Sequence, residues 1–298
     1  MKKSIIALLL FVGFGANAQL DPIYNQYLMN QSAINPAYIG MYHMGMASAL
    51  SRGQWIGIDG APFTNLVNAS STITEHSAVG FSFVNETFGI NSTNDLKLSY
   101  AYRIDMYGKI LSFGLTGGWS FYKQDFNKLD TETTDPSVGT GTYTYGAPSF
   151  GFGVMYRAEN YYLGIAAPRL QDTEISQAGS EVTSYKQSFN LSAGFLITPV
   201  SFFKIKPSTL IRYQNDEWAI DLNGQVLVHE KIWLGLMTRN FSSAGVNFIY
   251  QESGIYHFGY AFEFPFGDIG RGHYGTHELF LSIDLKIKKD HKLDERFF

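Results

Sequence analysis

Along most of this chain apolar and polar residues alternate with a period of two, the pattern of a strand with one apolar and one polar face. In residues 95–103, Leu96, Leu98, Tyr100 and Tyr102 fall on one face, and Asp95, Lys97, Ser99, Ala101 and Arg103 on the other. In 218–228, Trp218, Ile220, Leu222, Val226 and Val228 oppose Ala219, Asp221, Asn223 and Gln225. Near the carboxyl end, Leu279, Leu281, Ile283, Leu285 and Ile287 oppose Ser282, Asp284 and Lys286. No stripe at helical spacing competes. The pattern predicts fourteen strands, at 43–52, 64–74, 77–85, 95–103, 109–123, 148–157, 161–168, 186–197, 201–213, 217–228, 231–239, 243–250, 254–262 and 277–287. Most reach the roughly 9–11 residues that a tilted transmembrane strand needs, and an even number suits a closed bacterial barrel.

The connections support the same reading, because outer-membrane barrels carry short turns on the periplasmic side and longer loops outside. With the first strand leaving the periplasm, the periplasmic turns are 74–76, 104–108, 158–160, 198–200, 229–230 and 251–253, all short. The long connections, 124–147, 169–185 and 263–276, all follow odd-numbered strands. Two further outer connections, 214–217 and 240–242, are short, so an uneven outer rim is expected.

Composition sharpens this picture. Aromatic residues make up 16% of the chain, with 24 Phe, 19 Tyr and 30 Gly, while charged residues fall to 16% against about 25% in ordinary soluble domains. A soluble barrel or sandwich built from these strands would expose an aromatic face to water and invite association. In lipid that face is an asset, and closure satisfies every backbone group. No apolar run after Gly15 is long enough for a spanning helix. The inward faces are rich in Gly, Ser, Ala and Asn, so the lumen is expected to be tightly filled or narrowly wet.

The first eighteen residues have the form of a secretory signal: Lys2 and Lys3, an apolar stretch from Ile5 to Gly15, and Ala16-Asn17-Ala18 as a cleavage site. Cleavage near Ala18 would leave 20 basic residues against the 26 acidic ones, a balance that argues against nucleic acid as a partner. There is no cysteine, so no disulfide framework is expected. The layout is then a signal peptide at 1–18, an amino-terminal leader at 19–42, a barrel at 43–287 and a charged periplasmic tail at 288–298.

Candidate chemistry is sparse. His229-Glu230 and His277-Glu278 suggest a metal pair, but neither has a second histidine four residues on. Asp130, Glu132 and Asp135 in the longest loop offer oxygen ligands for calcium, yet miss the EF-hand spacing and its glycine. Gly151-Phe152-Gly153 lacks the third glycine and the helix of a dinucleotide turn, and reads as lumen-facing glycine in a strand. No G-x-S-x-G pattern is present to raise a lipase. No catalytic residue, metal site or cofactor is expected.

The leader does not read as a strand. It runs Asp21-Pro22-Ile23-Tyr24-Asn25-Gln26-Tyr27, then Asn30, then Asn35-Pro36-Ala37-Tyr38-Ile39-Gly40, an aromatic, turn-prone segment that could fold back into the barrel. Together with Arg52, Gln54-Trp55-Ile56-Gly57, Gly60-Ala61-Pro62-Phe63-Thr64, Ser99-Tyr100-Ala101-Tyr102-Arg103 and Gly275-Thr276-His277-Glu278, it resembles the PorP/SprF family of type IX secretion membrane proteins. The resemblance implies a non-enzymatic outer-membrane accessory that serves export or surface attachment of secreted cargo, such as the large adhesins of gliding motility. The implied partners are the secretion machinery, a cargo protein and outer-membrane lipid. The motif positions Asp21, Pro22, Gln26, Tyr27, Asn35, Pro36, Tyr38, Arg52 and Trp55 are the candidate partner-binding residues. Two other functions stay open: a channel for small solutes, with the long 124–147 loop folded inward as a plug, and an anchor for periplasmic parts through residues 19–42 and 288–298.

Overall fold

The alternating segments close into one antiparallel barrel. The computed structural model describes residues 24–129, 140–177, 180–267, 272–287, 296 and 298. Its strands are β1 (Gly45–Gly53), β2 (Phe63–Thr72), β3 (Ser77–Phe88), β4 (Asn91–Met106), β5 (Lys109–Asp125), β6 (Thr142–Arg157) and β7 (Tyr161–Arg169). Next come β8 (Thr173–Gln177), β9 (Ser180–Tyr185), β10 (Ser188–Phe195), β11 (Ile197–Val200), β12 (Phe203–Gln214) and β13 (Glu217–Val228). The last four are β14 (Ile232–Arg239), β15 (Ser243–Glu252), β16 (Tyr256–Pro265) and β17 (Thr276–Leu285). Each strand of the wall pairs with its sequence neighbours, β10 pairs with both β7 and β12, and β1 pairs with β17 to close the circle. β8 and β9 form a separate hairpin and β11 is a short addition to β12. Fourteen strands therefore make the wall, as the alternation predicts.

The alternation is inside out relative to a soluble protein. In β13, Trp218, Ile220 and Leu222 are exposed while Ala219, Asp221, Asn223 and Gln225 are buried. Leu98, Leu115, Leu236 and Leu279 are 61–69% exposed on the outside of the wall. That continuous apolar belt is what a bilayer covers.

Strand lengths differ sharply around the barrel. β14 has 8 residues, whereas β5 has 17 and β4 and β6 have 16, about 50 Å of chain at roughly 3.3 Å per residue. The expected 95–103 and 148–157 strands thus grow at the long-loop end, where Asn91–Asn94 and Thr142–Ala147 continue the sheet past the expected strand ends. Two-residue turns with positive φ at Asn215 and Asp216, and at Asn240 and Phe241, keep the opposite side of the rim low. Their paired left-handed conformations match the twist of the flanking strands. The rim is uneven, as the short 214–217 and 240–242 connections imply.

Candidate functional site: the filled lumen

The leader fills the lumen. Three 3-10 turns, Asn25–Leu28, Gln31–Ala33 and Pro36–Gly40, carry it from the long-loop end of the barrel down to the start of β1. Asn35 caps the third turn, its Oδ1 accepting the Ala37 N–H at 2.9 Å with Pro36 at the first helical position, where a missing N–H costs nothing. Such short turns leave many backbone groups without intrasegment partners, and the wall supplies them.

At the upper end the wall places three carboxylates, Asp221, Glu263 and Glu278, against two guanidiniums, Arg52 and Arg239. Arg239 contacts Asp221 at 2.9 Å and Glu263 at 3.2 Å. Arg52 reaches Glu263 at 3.3 Å and Glu278 at 3.8 Å. The leader completes the set: the main-chain N–H groups of Asn25 and Gln26 donate to Glu278 Oε2 and Oε1 at 2.9 and 2.7 Å. The Asn25 side chain donates to Glu263 and accepts from Arg239, both at 3.2 Å. A buried charge needs compensating partners, and here two backbone amides serve the third carboxylate.

Below this cluster the contacts continue without a break. Asn223 donates to the Tyr27 hydroxyl at 2.7 Å, and Lys206, stacked 4.5 Å from the Trp233 ring, reaches the Leu28 carbonyl at 3.5 Å. Asn68 donates to Asn30 at 2.8 Å and Asn190 to the Ile34 carbonyl at 2.9 Å. Asn35 Nδ2 lies 3.2 Å from the Val154 carbonyl and Ser112 donates to the Ala37 carbonyl at 2.8 Å. Gly114 and Gly153 face these turns so closely that a Cβ on either would overlap Pro36–Ala37 or Asn35.

The other end of the chain joins the plug. Arg296 donates to Asp284 at 2.8 Å, Ser282 at 2.8 Å and the Met29 carbonyl at 3.1 Å. The Phe298 main-chain oxygen accepts from Tyr38 at 2.8 Å and Tyr42 at 3.0 Å, and its ring packs on Tyr162. These two residues sit inside the barrel, which corrects the expectation of a periplasmic tail for them. Arg296 carries a charge that the lumen-facing Asp284 on β17 neutralises. The rest of 288–298 lies outside the described residues.

The motif positions divide clearly. Gln26, Tyr27, Asn35, Pro36 and Tyr38 are buried in the lumen, and Arg52 is buried in the cluster that receives them. In this arrangement they face the protein's own wall. Trp55 lies apart, in the rim loop after β1: its main-chain N–H donates to the Thr276 hydroxyl at 3.4 Å, and its ring is 6.4 Å from that of His273. Asp21 and Pro22 lie outside the described residues, as do Asp130, Glu132 and Asp135 of the calcium candidate. Glu278 binds the leader, and His277 contacts Tyr260 and the Tyr274 carbonyl. His229 stacks on Phe202 in a turn. Gly151 and Gly153 face the lumen within β6, consistent with the strand reading. Among the described residues it is the leader, not the 124–147 loop, that occupies the barrel. The periodicity did not reveal Asp221, Arg239, Glu263, Glu278 and Asp284 as a set. Their one available signal was charge on inward positions of strands.

Comparison with solved structures returns bacterial membrane barrels at low sequence identity. A deltaS2S3 mutant of TodX, a monoaromatic hydrocarbon channel, is similar with a TM-score of 0.51 and 9% identity, covering 88% of this chain and 94% of that one. TbuX, a toluene transporter of Ralstonia pickettii, gives 0.51 and 9% identity over 86% and 93%. The outer membrane protein Omp33 of Acinetobacter baumannii gives 0.48 and 8% identity over 83% and 99%. These likenesses concern the fold. Comparison with curated protein sequences returned no match. The family model for the type IX secretion system membrane protein PorP/SprF matches residues 16–283, nearly all of the wall together with the leader that fills it, and the chain belongs to that family of outer-membrane barrels.

Proposed function

We propose that this protein is a non-enzymatic outer-membrane accessory of type IX secretion that supports export or surface attachment of a secreted cargo, gliding adhesins among the candidates. Its barrel works as a closed scaffold and not as the conduit. The observation that carries this reading is the leader bonded to the wall from Asn25 to Ala37, with Arg296 and Phe298 beneath it. A solute path would have to displace the whole segment. The motif residues Asp21, Pro22, Gln26, Tyr27, Asn35, Pro36, Tyr38, Arg52 and Trp55 then act for partners through the leader's position and the rim, with the amino-terminal 1–18 directing export.

The test is a deletion strain scored for surface-displayed secreted proteins and for uptake of small solutes. Loss of display of a specific protein with unchanged permeability is the expected result. Normal display overturns the proposal. A second reading, a channel for small solutes, draws on the names of TodX and TbuX and on the polar lumen. It requires the leader to leave the barrel, and it predicts altered permeability with normal display.

A further inference from the structure

Where strands outrun their neighbours, the barrel leaves free edges, and the two largest overhangs at the outer rim are treated differently. β13 extends past β14 at Glu217–Ile220, because the β13–β14 pairing begins at Asp221. Asn240 closes that overhang: its main-chain N–H donates to the Ile220 carbonyl at 2.8 Å and its side chain accepts the Ile220 N–H at 2.7 Å. β6 extends past β7 in the same way, since their pairing begins at Phe152. Leu170 and Gln171 reach back to the carbonyls of Phe150 and Pro148. Beyond them, residues 142–147 pair with β5 on one side and have no strand partner on the other among the described residues.

This edge lacks the devices that natural sheets use to prevent further pairing. Charged side chains, proline and short length blunt an edge. Residues 142–147 read Thr-Tyr-Thr-Tyr-Gly-Ala, without charge or proline, and span about 20 Å at roughly 3.3 Å per residue. Tyr143 and Tyr145 are exposed beside it, and Tyr145 stacks on Tyr122 across the pair with β5. Long connections mark this end of the barrel as the outer side.

Resting on the export role proposed above, we infer that the free edge of β6 at 142–147 is a docking edge for an extended, uncharged segment of the secreted polypeptide, which adds to the sheet as a strand. A row of free main-chain donors and acceptors is complemented only by another extended backbone, with side chains of the added strand settling alternately against the tyrosine-bearing face. The edge ends at Pro148 and Gln171, so the added strand is short, about six residues.

Thr144→Lys and Thr144→Glu each place charge on this edge at an exposed position, leaving the pairing with β5 in place. With either change, surface display of the cargo that is lost in the deletion strain falls to the deletion level, while heat-modifiable mobility shows a folded barrel. If the deletion abolishes display and both Thr144 variants display normally, the docking edge is wrong and the export role stands. If the deletion itself has no effect, the export role fails. Amide exchange of the purified full-length protein in nanodiscs gives a second readout, with an alternating Thr–Val octapeptide as probe. The amides of 142–147 that point away from β5 should exchange rapidly alone and become protected with the peptide. Protection of these edge-facing amides without peptide overturns the inference: if lost on dilution it assigns the edge to a second copy, and if independent of dilution, to the chain's own loop. Rapid exchange with peptide present overturns it as well.

Discussion

Wall and plug bury and expose opposite kinds of residue. Leu115 and Leu279 stand outside the wall, apolar and more than half exposed, whereas Asn25, Gln26, Gln31 and Asn35 lie inside the lumen, polar and nearly inaccessible. In the wall the bilayer asks only that every second residue be apolar, so many side chains satisfy each outward position. In the plug particular polar groups are matched to individual partners, such as Glu278 for the amides of Asn25 and Gln26. The wall is specified by a repeat and the plug by single contacts. Substitutions in the wall should therefore be tolerated by class, and those in the plug should not.

The largest effect should come from Glu278→Ala, which removes both acceptors of the leader's amides and one partner of Arg52. Breaking a buried pair from one side costs about 3–5 kcal/mol. The variant should expose the leader around Asn25 to protease in intact outer membranes, a change read by peptide mapping. Next is Leu115→Arg, a charge in the middle of the lipid-facing belt, expected to lower barrel stability by about 2–4 kcal/mol in urea unfolding from lipid vesicles; Leu115→Phe should be nearly neutral. Gly114→Ala drives a methyl group into Pro36–Ala37, and overpacking of this kind costs about 1–3 kcal/mol. The same substitution at Gly224, which has open space around it, should change little. The smallest effect is that of Asn35→Ala, which removes the cap on the third turn at about 1 kcal/mol and the reach to the Val154 carbonyl. Hydrogen exchange of Ala37 should report it while the wall amides stay unchanged.

The same contrast explains what the sequence discloses. Period two locates the strands because lipid on one side and protein on the other leave a repeating mark at every step. It stops short at Asn91–Asn94 and Thr142–Ala147, where the sheet continues but Asn91, Ser92, Thr93 and Asn94, and Thr142, Thr144 and Gly146, leave no apolar face to read. The leader leaves no period, since its turns are each one turn long and its buried polar residues have the composition of a loop. The lumen itself held a legible trace, in Gly114, Gly151 and Gly153 on inward positions and in Arg52, Asp221, Arg239, Glu263 and Glu278 facing a space that could not be water alone. Arg296 and Phe298 follow a charged run that resembles a solvated tail, and only the position of Asp284 and of Tyr38 and Tyr42 reveals where they go.

The central claim, that the leader closes the barrel, is tested most directly by single-channel recording in planar bilayers, with the full-length protein compared with a variant lacking residues 24–42. The account predicts a silent full-length protein and steady conductance from the truncated barrel. Steady conductance from the full-length protein, with its leader intact, would contradict it.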